Sequence, residues 1–221
     1  RQGIDFVLKH IPGAADPLAD RHDWYVLLEW SSTRARREGA NETGLREKME
    51  TYLGEAMEQG LVVDAAIAQN EAQGRAFWAL RENHSESQKR EGPSIKHDIS
   101  VAVSKIPAFM KDGLAAMKQA LPDCRPVPFG HVGDGNLHFN CQSPPGWDKK
   151  RFMTHGEAIS GAVYDLVVGY GGSISAEHGI GRLKVDELAH YRSKVELDTM
   201  RAIKRALDPQ NLMNPGKIVR V

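Results

Sequence analysis

An α+β fold with an antiparallel sheet is predicted by three observations. Apolar and polar residues alternate from Asp98 to Val103, two short strand-like runs flank a glycine turn at Gly133–Gly135, and the intervening segments carry apolar residues at helical spacing. Before that region, the run Trp24–Trp30 (WYVLLEW) is rich in aromatic and branched residues and reads as a strand, followed by the polar, loop-like SSTRARREGANETG. From Leu45 the residues Met49, Tyr52, Leu53, Ala56 and Met57 recur on one helical face, and Gly60 stands where a C-terminal cap belongs. A strand over Val62–Ala68 and a second helical stretch around Phe77, Trp78 and Leu80 follow.

After the polar segment ENHSESQKREGPS comes the alternating strand, in which Ile99, Val101 and Val103 interleave with Asp98, Ser100 and Ala102. A helix then carries Phe109, Met110, Gly113, Leu114, Met117 and Leu121. The strands PVPFG and LHFNC enclose the glycine turn, and a long helix presents Phe152, Ile159, Ala162, Val163 and Leu166. The run Ser173–Ala176 reads as a short strand. The resulting order, β-α-β-β-α-β over about residues 97–176, is the split βαβ, ferredoxin-like arrangement. The N-terminal half shows a similar but less complete alternation, so the prediction is an α+β sandwich with helices on one side of the sheet. A last helix near Leu197–Leu207 ends at LDPQNLMNPGK, where two prolines stop the helical pattern.

Bulk properties narrow the function. With 221 residues, 41% of them hydrophobic and 26% charged, the chain has the composition of a globular protein able to bury a core. Twenty-nine basic residues balance twenty-nine acidic ones, so there is no obvious source for the counterion release that drives nucleic-acid binding. No apolar run approaches the ~20 residues of a membrane span, and the opening RQGIDFVLKHIPG lacks a signal-peptide core. Cys124 and Cys141 are too few for a disulfide framework. A cytoplasmic location is expected, with attachment to a membrane surface left open.

Three features carry chemistry. In Gly130–Asn140 (GHVGDGNLHFN), a chain reversal through Gly133–Gly135 allows His131 and His138 to face each other across adjacent strands, with side chains ~5 Å apart on one face. That is a metal-ligand separation, although a hairpin can also carry two histidines merely as polar residues. Asn140 shares the face of His138, and Phe139 points the other way. In SAEHGIG, Glu177 and His178 would face opposite ways in a regular strand, and both reach one site only if the chain bends there, which Gly179 and Gly181 permit. Two histidines and Glu177 would form a metal set with open positions, to which zinc, manganese and iron are all suited. His178 would then be available as a base, since an imidazole beside a metal-bound hydroxyl is suited to take its proton, or it is a buried structural histidine. Arg81, with Ser85 a turn later and Lys96 beyond the loop, offers cations for an acid substrate, although an arginine on a helix is more often simply solvated.

Taken together, HVGDGNLHFN, SAEHGIGRLK and the terminal LDPQNLMNPGK resemble the C-terminal domain of the FAD-linked oxidases in the vanillyl-alcohol oxidase superfamily. The similarity spans nearly the whole chain and is greatest to the branch holding D-2-hydroxyglutarate dehydrogenase, cytochrome-type D-lactate dehydrogenase and the flavin subunit of glycolate oxidase. The resemblance implies a duplicated ferredoxin-like α+β domain. It implies that His131, His138 and Glu177 hold a divalent metal, usually zinc, and that His178 is the catalytic base. It further implies that Arg81 and Lys96 grip a substrate carboxylate and that Asn140 lines the substrate pocket. Ser85 stands where relatives carry threonine, and Asn214 and Lys217 would approach the cofactor.

On this reading residues 1–221 form the substrate and metal domain of an FAD-dependent 2-hydroxy acid dehydrogenase. The family's FAD-binding domain would precede it as the main partner, with FAD as hydride acceptor and an electron acceptor of unknown identity. A homodimer is left open. Two further readings are a metal-dependent hydrolase using the same ligands and a non-catalytic subunit of a multi-subunit glycolate oxidase.

Overall fold

The computed structural model describes residues 1–32 and 44–221. It divides into two compact units, Arg1–Arg90 and Glu91–Val221. The predicted polar loop over residues 31–44 lies almost wholly outside the described residues. Among the described residues no helix is long and apolar enough to cross a membrane.

The first unit contains α1 (Gln2–His10), α2 (Leu45–Glu58), α3 (Glu71–Glu82) and α4 (His84–Arg90). Helix α1 buries Gly3, Phe6 and Val7 and packs on α4. A Cβ at position 3 would stand 3.0 Å from the His84 ring, so the glycine lets the two helices approach. Asn70 caps α3 by accepting from the Gln73 N–H, and Asn83 separates α3 from α4. Trp24–Trp30 and Val62–Ala68, expected as strands, run without regular secondary structure and join no ladder. β-propensity reflects packing on a paired, half-buried surface. Here Trp24, Val26, Leu28 and Trp30 are all exposed. The duplication is therefore not seen among the described residues of this unit.

The second unit carries the antiparallel sheet as predicted: β1 (Ser94–Ile95), β2 (Asp98–Ser100), β3 (Arg125–His131) and β4 (Asn136–Gln142). Strand β4 is central, with β3 along one edge and β1 and β2 in succession along the other. Helices α5 (Ile106–Ala120) and α7 (Gly156–Gly169) pack against each other, and their apolar residues join those of the sheet in one core. That core contains Ile99, Phe109, Met117, Leu137, Phe139, Ile159 and Val163. Gly113 of α5 makes room for the Phe139 ring, whose Cζ would lie 2.7 Å from an added Cβ.

The long helix expected from Phe152 is two, α6 (Lys149–Met153) and α7, with α6 capped by Asp148. The expected strand Ser173–Ala176 shrinks to a single bridge, Ser100 to Ser173, after which the chain bends. Helices α8 (Val185–Tyr191) and α9 (Lys194–Leu207) bury Leu188 and Leu197 with Val219 in a second small cluster. Helix α9 begins in a capping box of Ser193 and Glu196, three residues before the predicted start.

Candidate functional site

Alternation in β4 sorts its residues by chemistry. Leu137, Phe139 and Cys141 join the core, so Asn136, His138 and Asn140 share the opposite face. On one edge, β3 places Val127, Phe129 and His131 opposite Asn140, His138 and Asn136. The hairpin therefore sets His131 diagonal to His138 rather than directly across from it, with ring centroids 6.4 Å apart. The cause is the connection Val132–Gly135, closed by the Gly135 N–H on the His131 carbonyl, which fixes the register two residues from the expected one. Phe129 takes the position directly across, 4.8 Å from the His138 ring centroid.

On the other edge, β1 and β2 keep one register against β4, and the Phe139 N–H donates to the His97 carbonyl between them. Asp98 lies opposite His138, and Lys96, two residues earlier, falls opposite Asn140 on the same polar face. His97 points the other way and is buried. Its Nδ1–H donates to the Phe139 carbonyl at 2.8 Å, and its Nε2 meets Ser160 Oγ at 3.0 Å. Burial pushes its pKa down to about 4 despite the hydrogen bond to Phe139, so it is a neutral structural histidine.

Glu177 and His178 arrive from the bend after α7. Ser100 and Ser173 exchange N–H···O bonds of 3.0 and 2.9 Å, and the Ser173 hydroxyl donates to the Ser175 carbonyl at 2.8 Å. The next three backbone N–H groups, of Ala176, Glu177 and His178, all donate to one oxygen of Asp98, at 3.1, 2.8 and 2.8 Å. The other Asp98 oxygen accepts from the Asn136 side-chain amide at 2.9 Å. Lys184 fastens the approach to the bend by donating to the Ile174 carbonyl at 2.7 Å. The bend foreseen at Glu177–His178 is present, and its anchor is an aspartate on a neighbouring strand.

His138 Nε2 consequently stands 3.5 Å from the Glu177 carboxylate. His138 Nδ1 and His178 Nδ1 lie 3.8 and 3.9 Å from the two Asp98 oxygens. Asp98, His138, Glu177 and His178 each offer a ligand atom, all within 4.8 Å of one another. Asp98 is only 2% exposed. Burial alone would raise its pKa, but hydrogen bonds from His178, Asn136 and Glu177, with the His178 charge, outweigh it and hold the carboxyl below its ordinary value. The Lys184 ammonium is pushed down by burial, opposed by the charges of Asp98 and Glu187. His138 is half-buried, whereas His131, Glu177 and His178 are exposed. Nitrogen and oxygen donors at this separation suit a zinc-like cation, whose ligands stand ~2 Å from the ion.

The remaining candidates are not among those four residues. Arg81 is half-buried in the last turn of α3 and Ser85 is exposed on α4, both in the first unit. Arg81 acts on buried His84, whose pKa is driven to about 4 first by burial and then by that positive charge. Asn214 adopts a positive φ of 51° in the exposed C-terminal segment, where the Lys217 N–H donates to its carbonyl. The next residue, Ile218, donates to the Gly181 carbonyl at 2.8 Å, which ties the terminal motif to the Glu177–His178 motif. Sequence reasoning missed Asp98, Asn136 and Lys184. The available signal was the single acid in the alternating strand, since a charge buried in a sheet demands partners.

The family described as FAD linked oxidases, C-terminal domain, matches residues 1–218. The chain is 39% identical over 217 residues to a D-2-hydroxyglutarate dehydrogenase of Stutzerimonas stutzeri, covering 97% of this chain and 45% of the relative. It is 35% identical to the mitochondrial D-2-hydroxyglutarate dehydrogenase of Arabidopsis thaliana, covering 98% of the chain and 36% of the relative. A putative mitochondrial D-lactate dehydrogenase of Schizosaccharomyces pombe is 32% identical, with 94% of the chain and 39% of the relative covered. The chain thus spans less than half the length of these curated relatives. With His138, Glu177 and His178 gathered beside the sheet and the match running almost from end to end, this chain belongs to the FAD-linked oxidases, as their C-terminal domain.

Proposed function

We propose that the chain is the substrate-side domain of a flavin-dependent D-2-hydroxy acid dehydrogenase, which oxidises a substrate of the D-2-hydroxyglutarate or D-lactate type to its 2-oxo acid. The observation that carries this reading is the convergence of His138, Glu177 and His178 within ligand distance on the sheet face that also bears Lys96 and Asn140. The relatives' names supply the substrate class.

His138 and Glu177, with His131 from the adjoining strand, would hold a divalent cation, and zinc fits this donor set. Such a cation supplies Lewis acidity at the substrate hydroxyl, and the FAD bound by the rest of the protein supplies the hydride acceptor. Within this chain, His178 takes the hydroxyl proton. Its imidazole is exposed to an incoming substrate, with Nδ1 3.9 Å from the Asp98 carboxylate. Lys96 offers a cation to the substrate carboxylate and Asn140 an amide. For Arg81 and Ser85, carboxylate and hydroxyl recognition rests on side-chain chemistry and family likeness, and the same holds for a cofactor contact from Asn214 or Lys217.

The test uses the full-length flavoprotein. Anaerobic addition of D-2-hydroxyglutarate or D-lactate should bleach the flavin absorbance, and a chelator should abolish the bleaching. His178→Gln should slow reduction by roughly 10²- to 10⁴-fold while leaving flavin bound. Reduction at the wild-type rate in that variant would refute the base assignment, and no bleaching by any 2-hydroxy acid would refute the dehydrogenase.

A further inference from the structure

We infer that Asp98 is the positioning residue of this site: its carboxylate, by gathering three consecutive backbone N–H groups, creates the bend that brings Glu177 and His178 to His138. The inference rests on the reading of those three residues as the working group, and it adds a residue that touches none of the reacting atoms.

Asp98 has the donor type and distance to be counted among the metal-ligating candidates. Its hydrogen bonds argue otherwise. One oxygen already accepts from Ala176, Glu177 and His178, and the other faces the Asn136 amide. An oxygen with three N–H donors has no direction left for an ion. These donors also do what no side chain could do for a glycine-rich segment. Three successive N–H groups converging on one anion impose a tight concave backbone, the nest geometry that favours negative charge. Extended chain would throw Glu177 and His178 to opposite sides. Wrapped around Asp98, both side chains reach the polar face, Glu177 at 3.5 Å from His138.

The placement of Asp98 is itself over-determined. It sits in β2 directly opposite His138, next to His97 and Ile99, which fix the strand from the core side. The carboxylate is nearly inaccessible to water. Without its partners, a buried anion is strongly disfavoured, so bend and aspartate each require the other.

The substitution that separates geometry from charge is Asp98→Asn. An amide oxygen in place of the carboxylate oxygen that accepts three hydrogen bonds still accepts the three N–H groups. Its NH₂ then faces Asn136, whose Oδ1 is buried without a partner and becomes the acceptor once that amide turns over. Asp98→Ala offers nothing to the three N–H groups.

The experiment uses the full-length protein, first stripped with chelator. Hydrogen exchange is read at the Ala176, Glu177 and His178 amides, and zinc affinity is read separately by titration. In Asp98→Ala those three amides should exchange at least tenfold faster than in the wild type, and zinc should bind at least tenfold more weakly. In Asp98→Asn, protection and zinc affinity should stay within about tenfold of the wild type, because neutral acceptors are about half as strong as charged ones. Phe139→Leu, a core change of similar thermal cost, should leave the three amides protected, which separates positioning from general destabilisation.

Unchanged exchange in folded Asp98→Ala would overturn the inference, as would equal loss in Asp98→Asn and Asp98→Ala. Should Asp98→Ala fail to fold, Asp98→Asn decides alone: retained protection supports the inference and lost protection overturns it. If the amides respond as expected but the wild type binds no zinc, the proposed site fails and the positioning role stands.

Discussion

Gly172→Ala is expected to disable the site from a position that touches none of its side chains. Gly172 precedes Ser173, whose two hydrogen bonds to Ser100 start the bend that presents Glu177 and His178. A Cβ on Gly172 would stand 2.2 Å from the Ser100 carbonyl oxygen, about 1 Å inside an ordinary carbon–oxygen contact. It has no sideways escape, because Val101 Cγ1 and Val167 Cγ1 would lie 3.0 and 3.1 Å away. The chain must therefore withdraw from β2 by about 1 Å, breaking the Ser100–Ser173 pair. Two hydrogen bonds at about 1 kcal/mol each give about 2 kcal/mol of lost stability. Misplacing a proton acceptor by ~1 Å lowers turnover by about 10²-fold. The assay is flavin reduction by D-2-hydroxyglutarate in the full-length protein, beside chemical unfolding. Gly133→Ala is the control, since its added Cβ meets no heavy atom within 4 Å. If folded Gly172→Ala turned over within threefold of Gly133→Ala, the claim that the Ser100–Ser173 bridge anchors the start of the bend would be wrong.

Acid should weaken the second unit through His97. Its folded pKa of about 4 lies below the ordinary value of 6.5, so the unfolded chain binds the proton first; stability is full above pH ~6.5 and is lost as pH falls toward ~4. Between pH 7 and pH 5 the loss is about 2 kcal/mol. Native-state exchange of β4 amides should therefore accelerate over that interval, and His97→Gln should flatten the change; parallel pH curves for the two proteins would refute it. Lys96→Ala in the full-length enzyme should raise KM for the acid substrate at least tenfold with a smaller change in kcat. A fall confined to kcat would show that Lys96 does not serve ground-state carboxylate binding.

The second unit was largely legible in the sequence, because its elements obey local rules. The alternation of Leu137–Cys141, the apolar face of α5 and the turn at Gly133–Gly135 each agree with the structure. The register was less legible. Placing His131 opposite His138 assumed a looser connection than Val132–Gly135 makes, and a connection two residues shorter moves the cross-strand partner by two. The first unit departs further, since Trp24–Trp30 has strand composition but no partner strand, and composition does not supply a ladder.

The site divides along the same line. His131, His138, Glu177 and His178 stood out because imidazoles and a carboxylate near glycines are chemically conspicuous, whereas Asp98 looked like one polar residue in an alternating strand. Its role depends on a contact 78 to 80 residues along the chain with backbone groups, which carry no sequence signature. The conspicuous residues supply donors, but donors alone do not make a site, because Glu177 and His178 are neighbours in a chain that would otherwise present them on opposite sides. What converts the motif into a cluster is a buried anion that needs three N–H groups and a segment that has three to offer. That mutual need is a long-range property of the fold. A search for the residues governing this chemistry should therefore begin with buried charges and follow their hydrogen bonds outward.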